Sequence, residues 1–331
     1  MYATALAAVA AAVPVAASAP GAERSELLAF TRNEKVYLMN PDDGSGVRRA
    51  PFPVVPSWSP DGRKLAYYVQ GYRTTRLYVA DGDGGKRRVI LRRRGYCFEP
   101  VWSPNGRKIA FTSDCDFDFM EVHVIDTGGK GHKNLTPRGW AADPAWSPDG
   151  RWILYTNMRG GPHLFIVEPS ARKRRPIRGR YPAPFPSRLG IGPGTEWSRD
   201  GKRIFFLSDG LAVINRDGSS FRKLTPRDIT VGDFEISPDG RLIAIVAATV
   251  LPRGAREIYI VNSDGSDFRR LTENRAHDMS PTWSPDSRRI AFASLRDGNW
   301  EIYVMNADGS DQRNLTRSTA QDESPVWRPQ K

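Results

Sequence analysis

The side chains best suited to chemistry in this sequence are carboxylates standing at fixed distances before a recurring tryptophan. Glu99 and Asp143 each stand three residues before a Trp, and Asp233 stands three before Ile236, which takes the place of a Trp. Asp278, preceded by His277, and Asp322 stand five before theirs. Equivalent positions of a repeated unit converge when the units are set in a ring. Glu99, Asp143, Asp233, His277, Asp278 and Asp322 are therefore expected around one mouth, where they could hold a divalent cation or a cationic ligand. Asp114, Asp116, Asp118 and Glu121 add negative charge in a loop on the same side. The plainer alternative is that these acids cap turns and face water. The histidines His123, His132, His163 and His277 show no His-Glu-x-x-His spacing, and only His277 falls on the side of the mouth.

What must position these groups is a hexapeptide, read most cleanly as Trp146-Ser-Pro-Asp-Gly-Arg151. Copies or near-copies are anchored at Trp58, Trp102, Trp197, Ile236 and Trp283, and a shortened one at Trp327. Successive anchors are 44, 44, 51, 39, 47 and 44 residues apart. A period in the forties, flanked by strand-like text, predicts an all-β propeller of four-stranded antiparallel blades. In Ser-Pro-Asp-Gly, Pro and Asp suit the corners of a type I turn, and Gly takes the left-handed position that closes a hairpin. Ser287, in the Gly position, is expected to cost some strain. The anchors Trp58, Trp102, Trp146, Trp197, Trp283 and Trp327 account for six of nine tryptophans, which makes them a repeat core.

Seven anchors predict seven blades, or six if the degenerate Ile236 repeat forms none. The chain opens with strands at Leu27–Phe30 and Lys35–Met39 but no anchor, and ends with an anchor, Ser324–Trp327, but no later strands. Joining the two ends completes one blade and closes the ring without free edges. Inner strands such as Ile258–Val261 and Ile302–Met305 are apolar on both faces, as blades covered on both sides require. Outer strands such as Phe268–Thr272 are basic, a charge pattern that discourages edge-to-edge association. The repeated Asp-Gly turns, as at Asn306–Asp311, lack the spacing of a calcium loop and read as hairpin turns.

These residues resemble the TolB-type, WD-like β-propeller repeat: Pro-x-Trp-Ser-Pro-Asp-Gly-Arg, then Ile-Ala-Phe, Glu-Ile-Tyr-Val-Met-Asn, Asp-Gly and Leu-Thr. The resemblance runs from about Leu27 to Trp327 and is closest over Ser280–Thr316. It implies the fold; such propellers serve as scaffolds, receptors and gating domains of peptidases alike. TolB itself resembles an α/β domain followed by a six-bladed propeller, whereas seven anchors are counted here. No Gly-x-Ser-x-Gly elbow of a propeller-linked hydrolase occurs.

The 331 residues are expected to form one propeller domain over 23–331 after an Ala/Val-rich leader over 1–22, read as a signal peptide or an Ala-rich tail. The leader lacks a basic start, yet its small residues suit cleavage near Ala19 or Ala22. Export would explain the only two cysteines: Cys97 and Cys115 flank the turn at Asn105-Gly106 and are expected to face each other within disulfide reach. The net charge of +12 favours anionic partners or simple solubility. Basic clusters at Lys86–Arg94 and Arg172–Arg180 have few aromatic neighbours, so nucleic acid is not an expected partner. The reading is a monomeric, non-catalytic binding propeller, secreted or in the cell envelope, that presents loops around its funnel to a protein or an anionic envelope polymer. No cofactor is required. The alternative is a metal-dependent lyase or hydrolase acting on a polysaccharide or peptide, with a divalent cation near His277 and Asp278.

Overall fold

The hexapeptide turns are built as their residues dictate. In the first, Ser59 Oγ donates to Asp61 Oδ1 at 2.7 Å and accepts the Lys64 N–H at 2.9 Å. Asp61 Oδ1 also accepts the Arg63 N–H, and Gly62 sits at φ +61°. Ser287 adopts φ +62° in the Gly position, as expected. Part of that strain is offset because its Oγ accepts the Asp239 N–H of the preceding turn at 3.0 Å.

These turns and their strands form seven four-stranded antiparallel sheets in a computed structural model that describes residues 26–114, 119–159, 163–179, 182, 194–249 and 254–330. The leader therefore lies outside the described residues. No helix among the described residues is long and apolar enough to cross a membrane. We number the blades by the strand that carries the anchor: Ser57–Trp58 (blade 1), Cys97–Trp102 (2), Ala141–Trp146 (3), Thr195–Trp197 (4), Ile229–Ile236 (5), Asp278–Trp283 (6) and Asp322–Trp327 (7). Blade 5 is complete despite its missing Trp. Blade 7 joins the chain ends: Asp322–Trp327 pairs with Leu28–Arg32, which continues into Lys35–Met39 and Arg48–Arg49. The core consists of apolar layers between adjacent blades, such as Phe234 and Ile236 against Phe205, Leu211 and Val213.

The anchor tryptophans also stitch the ring with hydrogen bonds. Each indole donates to the carbonyl one residue before the preceding anchor: Trp102 to Ser57, Trp146 to Val101, Trp197 to Ala145, Trp283 to Glu235 and Trp327 to Thr282, at 2.9–3.2 Å. Two seams lack this bond. At the blade 4–5 seam Ile236 has no indole, and at the blade 7–1 seam the Trp58 Nε1 finds no acceptor among the described residues. Trp283→Phe should therefore cost about 1–2 kcal/mol beyond its packing loss, because it leaves the Glu235 carbonyl unpaired. Trp58→Phe removes no such bond and should cost less in urea unfolding. Equal losses in the two variants would refute the hydrogen-bond account.

The rest of the repeat text is structural as well. Thr136, Thr225, Thr272 and Thr316 of the Leu-Thr pairs accept a third-strand N–H through Oγ1. Three of those strands open with a glutamate that holds the following loop, as where Glu121 accepts from Asn134 and the Arg138 N–H, and Glu257 from Arg270 and the Asn274 N–H. Outer-strand arginines do more than face solvent. Arg88, Arg269 and Arg313 reach to backbone carbonyls of Thr127, Asp308 and Asp42 in the next blade's turn.

Candidate functional site

The anchor strands begin at one rim of the central channel, here called the top, and run to the hexapeptide turns at the bottom. The predicted mouth residues lie along these strands, but they do not form one converging ring. Asp278 and Asp322 are fully buried and turn into their own blades. Asp322 makes a two-pronged pair with Arg32, at 2.7 Å for each bond, and that guanidinium also lies over the rings of Phe30 and Tyr37. Asp278 accepts from Asn274 at 2.7 Å and from Arg296 at 3.1 Å, and Arg296 lies over Phe292 and Tyr303. His277 is exposed, and its Nδ1 accepts the Arg256 N–H at 3.0 Å. Glu121 is held by Asn134 and the Arg138 backbone. The Glu99 side chain, Asp116 and Asp118 lie outside the described residues.

Asp143 and Asp233 behave differently. Asp143 sits at a strand bulge at φ +57°, and its Oδ2 is buried without a partner among the described residues. Burial raises its pKa to about 6. Asp233 is buried, accepts the Phe234 N–H at 2.8 Å, and is likewise held well above the usual carboxylate range by desolvation. It neighbours two buried glutamates that spacing from the anchors did not single out, Glu196 and Glu235. Both stand one residue before an anchor and reach to the next blade. Glu196 Oε2 accepts the Ile236 N–H at 3.2 Å, its Oε1 has no partner among the described residues, and burial with help from Asp233 pushes its pKa up to about 8. Glu235 is raised by burial and then by Glu196, and accepts from the Trp283 N–H and Thr282. The acidic group thus straddles the blade 4–5 seam, where the indole bond is missing. Among the described residues, no three His, Cys, Asp or Glu side chains are placed to hold a metal ion.

A second feature of the top was not anticipated. The loops and strand starts of blades 1–3 expose large apolar side chains: Tyr72 at 93%, Tyr96, Phe119, Met120 and Trp140 at 53%. Phe119 and Trp140 lie 6.4 Å apart between ring centroids, and Tyr96 stacks on Phe98 at 6.0 Å. The available signal was Trp140 itself, a tryptophan outside the anchor pattern.

Cys97 is buried, with Sγ 3.6 Å from Ser113 Oγ, and the strand ladder sets Cys97 opposite Ser113. Cys115 lies outside the described residues. The Asp-Gly turns are closed internally, as where Asp308 Oδ1 accepts from the N–H and Oγ of Ser310.

The profile of the TolB beta propeller domain matches residues 45–184 and 235–331. The chain belongs to this family. Solved structures agree on the architecture of this TolB-type propeller. TolB from Acinetobacter baumannii superposes with a TM-score of 0.57 at 18% identity, covering 92% of this chain and 83% of that one. The β-propeller domain of the Trilobed protease from Pyrococcus furiosus gives 0.65 at 15% identity, covering 91% and 95%. An oligogalacturonate lyase in complex with manganese gives 0.58 at 15% identity, covering 88% and 85%. At such identities the likeness is one of fold. No curated protein matches the chain in sequence.

Proposed function

We propose that this TolB-type propeller is a non-catalytic binding protein of the cell envelope or exterior, and that it takes a protein partner on the top of blades 1–3. The observation that carries this reading is the set of exposed side chains Tyr72, Tyr96, Phe119, Met120 and Trp140 on the top of these blades, with Phe119 and Trp140 in ring contact. Tyr, Trp, Phe and Met, with Arg73 stacked on Tyr72 and Arg138 near Trp140, are the residue types enriched at protein interfaces. Large apolar side chains exposed together on one rim are a mark of interaction sites. The Ala/Val-rich leader, as read from the sequence, supports export, and a Cys97–Cys115 disulfide would add to that support.

The test is capture of a partner from envelope extracts, followed by affinity measurement on the purified pair. Trp140→Ala and Tyr72→Ala should each weaken binding at least tenfold at unchanged melting temperature, and a chelator should have no effect. Undiminished binding by both variants, or binding that needs a chelatable metal, would overturn the reading. Intact mass of the exported protein without reductant tests location and pairing together. A chain shortened by the leader and lighter by two hydrogens is expected; a full-length, reduced cytosolic chain would remove the envelope assignment.

A further inference from the structure

The repeat supplies its own control, since a residue that departs from all the other blades is not one the fold requires. On the bottom, the residue after the hexapeptide is Lys64, Lys108, Arg203, Leu242 or Arg289 in five blades, but Trp152 in blade 3. The residue after the third strand's closing Asn, Asp or Glu is Pro41, Gly82, Thr127, Pro169, Ser263 or Ala307 in six blades, but Arg216 in blade 4. These two departures meet. The Arg216 guanidinium lies 5.7 Å from the Trp152 ring centroid and Arg175 lies 4.9 Å from it. Stacking on an indole holds a guanidinium in place while leaving its N–H edges available. Arg216 makes no side-chain hydrogen bond among the described residues, although it lies within electrostatic reach of Asp149.

Both residues line an open groove of about 800 Å³ running across blades 2, 3 and 4, with Lys108, Lys133, Arg151 and Glu168 in its walls. Its charge is cationic but diluted. Asp126 pairs with Lys108, Glu168 lies in the wall, and Asp149 shares the turn of Arg151. These wall carboxylates repel any polyanion, so an occupant that fits must also offer them hydrogen-bond donors. A chain that sets hydroxyls beside each carboxylate meets that need, because Glu168 can accept from a hydroxyl while Arg216 takes a planar carboxylate edge-on.

We propose that this bottom groove binds an acidic polysaccharide, with Arg216, Arg151 and Lys133 holding its uronate carboxylates. It is independent of the top-face partner. The test uses the full chain and a hexamer of uronate sugars, measured by calorimetry against the same hexamer as its methyl ester and against a single-stranded DNA oligonucleotide. Arg216→Ser and Trp152→Leu install residues that blade 5 already carries at both places, as Ser263 and Leu242, so the fold is expected to hold; should Arg216→Ser lower the melting temperature, Arg216→Gln gives the same readout. Each variant should weaken uronate binding about tenfold or more, Arg241→Ser on blade 5 should not, and the methyl ester should bind far more weakly. Equal affinity for the ester, DNA binding as tight and as sensitive to Arg216, or variants that bind like the parent would each overturn the proposal.

Discussion

Replacing Glu196 with glutamine will raise the melting temperature at pH 8 and flatten its decline between pH 5 and pH 8. Glu196 is 7% exposed, lies beside Asp233, and has one oxygen without a partner among the described residues. Its pKa rises from the ordinary 4.5 to about 8 on folding, chiefly through desolvation. Between those values the folded chain keeps a proton that the unfolded chain has lost, so stability falls as pH rises, by about 1.4 kcal/mol per pH unit. Below the unfolded pKa the contribution is level, and above the folded pKa it levels again. Asp233 and Glu235 are raised in the same direction and steepen the fall. Glutamine keeps an oxygen for the Ile236 N–H and carries no charge at any pH. The gain at pH 8 should approach ~3–4 kcal/mol, or roughly 6–8 °C, and should vanish near pH 4.5. Melting curves across this range decide it; parallel profiles for parent and variant would show that Glu196 is not the group titrating.

The position of Glu196 shows where sequence reading ran out. Anchor spacing predicts blades, turns and ring closure because those depend on local chemistry repeated seven times, and even the degenerate Ile236 unit keeps its strands. Side-chain partners are less legible. Counting back from an anchor places Asp278 and Asp322 near the rim, but not the arginine each one meets. Arg296 follows the second strand of blade 6, and Arg32 ends the corresponding strand of blade 7, 290 residues from its partner. Glu196 and Glu235 stand where other blades carry Ser57, Val101, Ala145, Thr282 and Val326, so a charged group at a position facing the next blade was the available signal. It becomes informative only once the missing Trp at 236 is seen as a missing donor between blades. The top aromatics were hidden for a related reason: attention to the anchors assigns tryptophan to the core, whereas Trp140 belongs to no repeat position.

Removing the carboxylate of Asp322 should produce the other large effect, and a different one. Asp322 has no exposed surface, and Arg32 is 21% exposed in its side chain, so Asp322→Ala leaves a half-buried guanidinium without its anion. Breaking such a pair costs about 3 kcal/mol. The two residues also face each other in the ladder between the last strand and the first, the one pairing among the described residues that closes the ring through both chain ends. Loss of the pair therefore weakens the closure itself, and backbone amides of Leu28–Arg32 should exchange faster in the variant than those of blades 2–6. Asp278→Ala offers the comparison. It removes the equivalent acid of blade 6, yet Arg296 keeps Gln312 and Ser294 as acceptors, and the surrounding strands are joined by short local turns. Its loss should be smaller and its exchange effect confined to blade 6. If Asp278→Ala costs as much as Asp322→Ala, or if exchange at Leu28–Arg32 is unchanged, ring closure rests on the strand ladder and apolar layers of blade 7 and not on this ion pair.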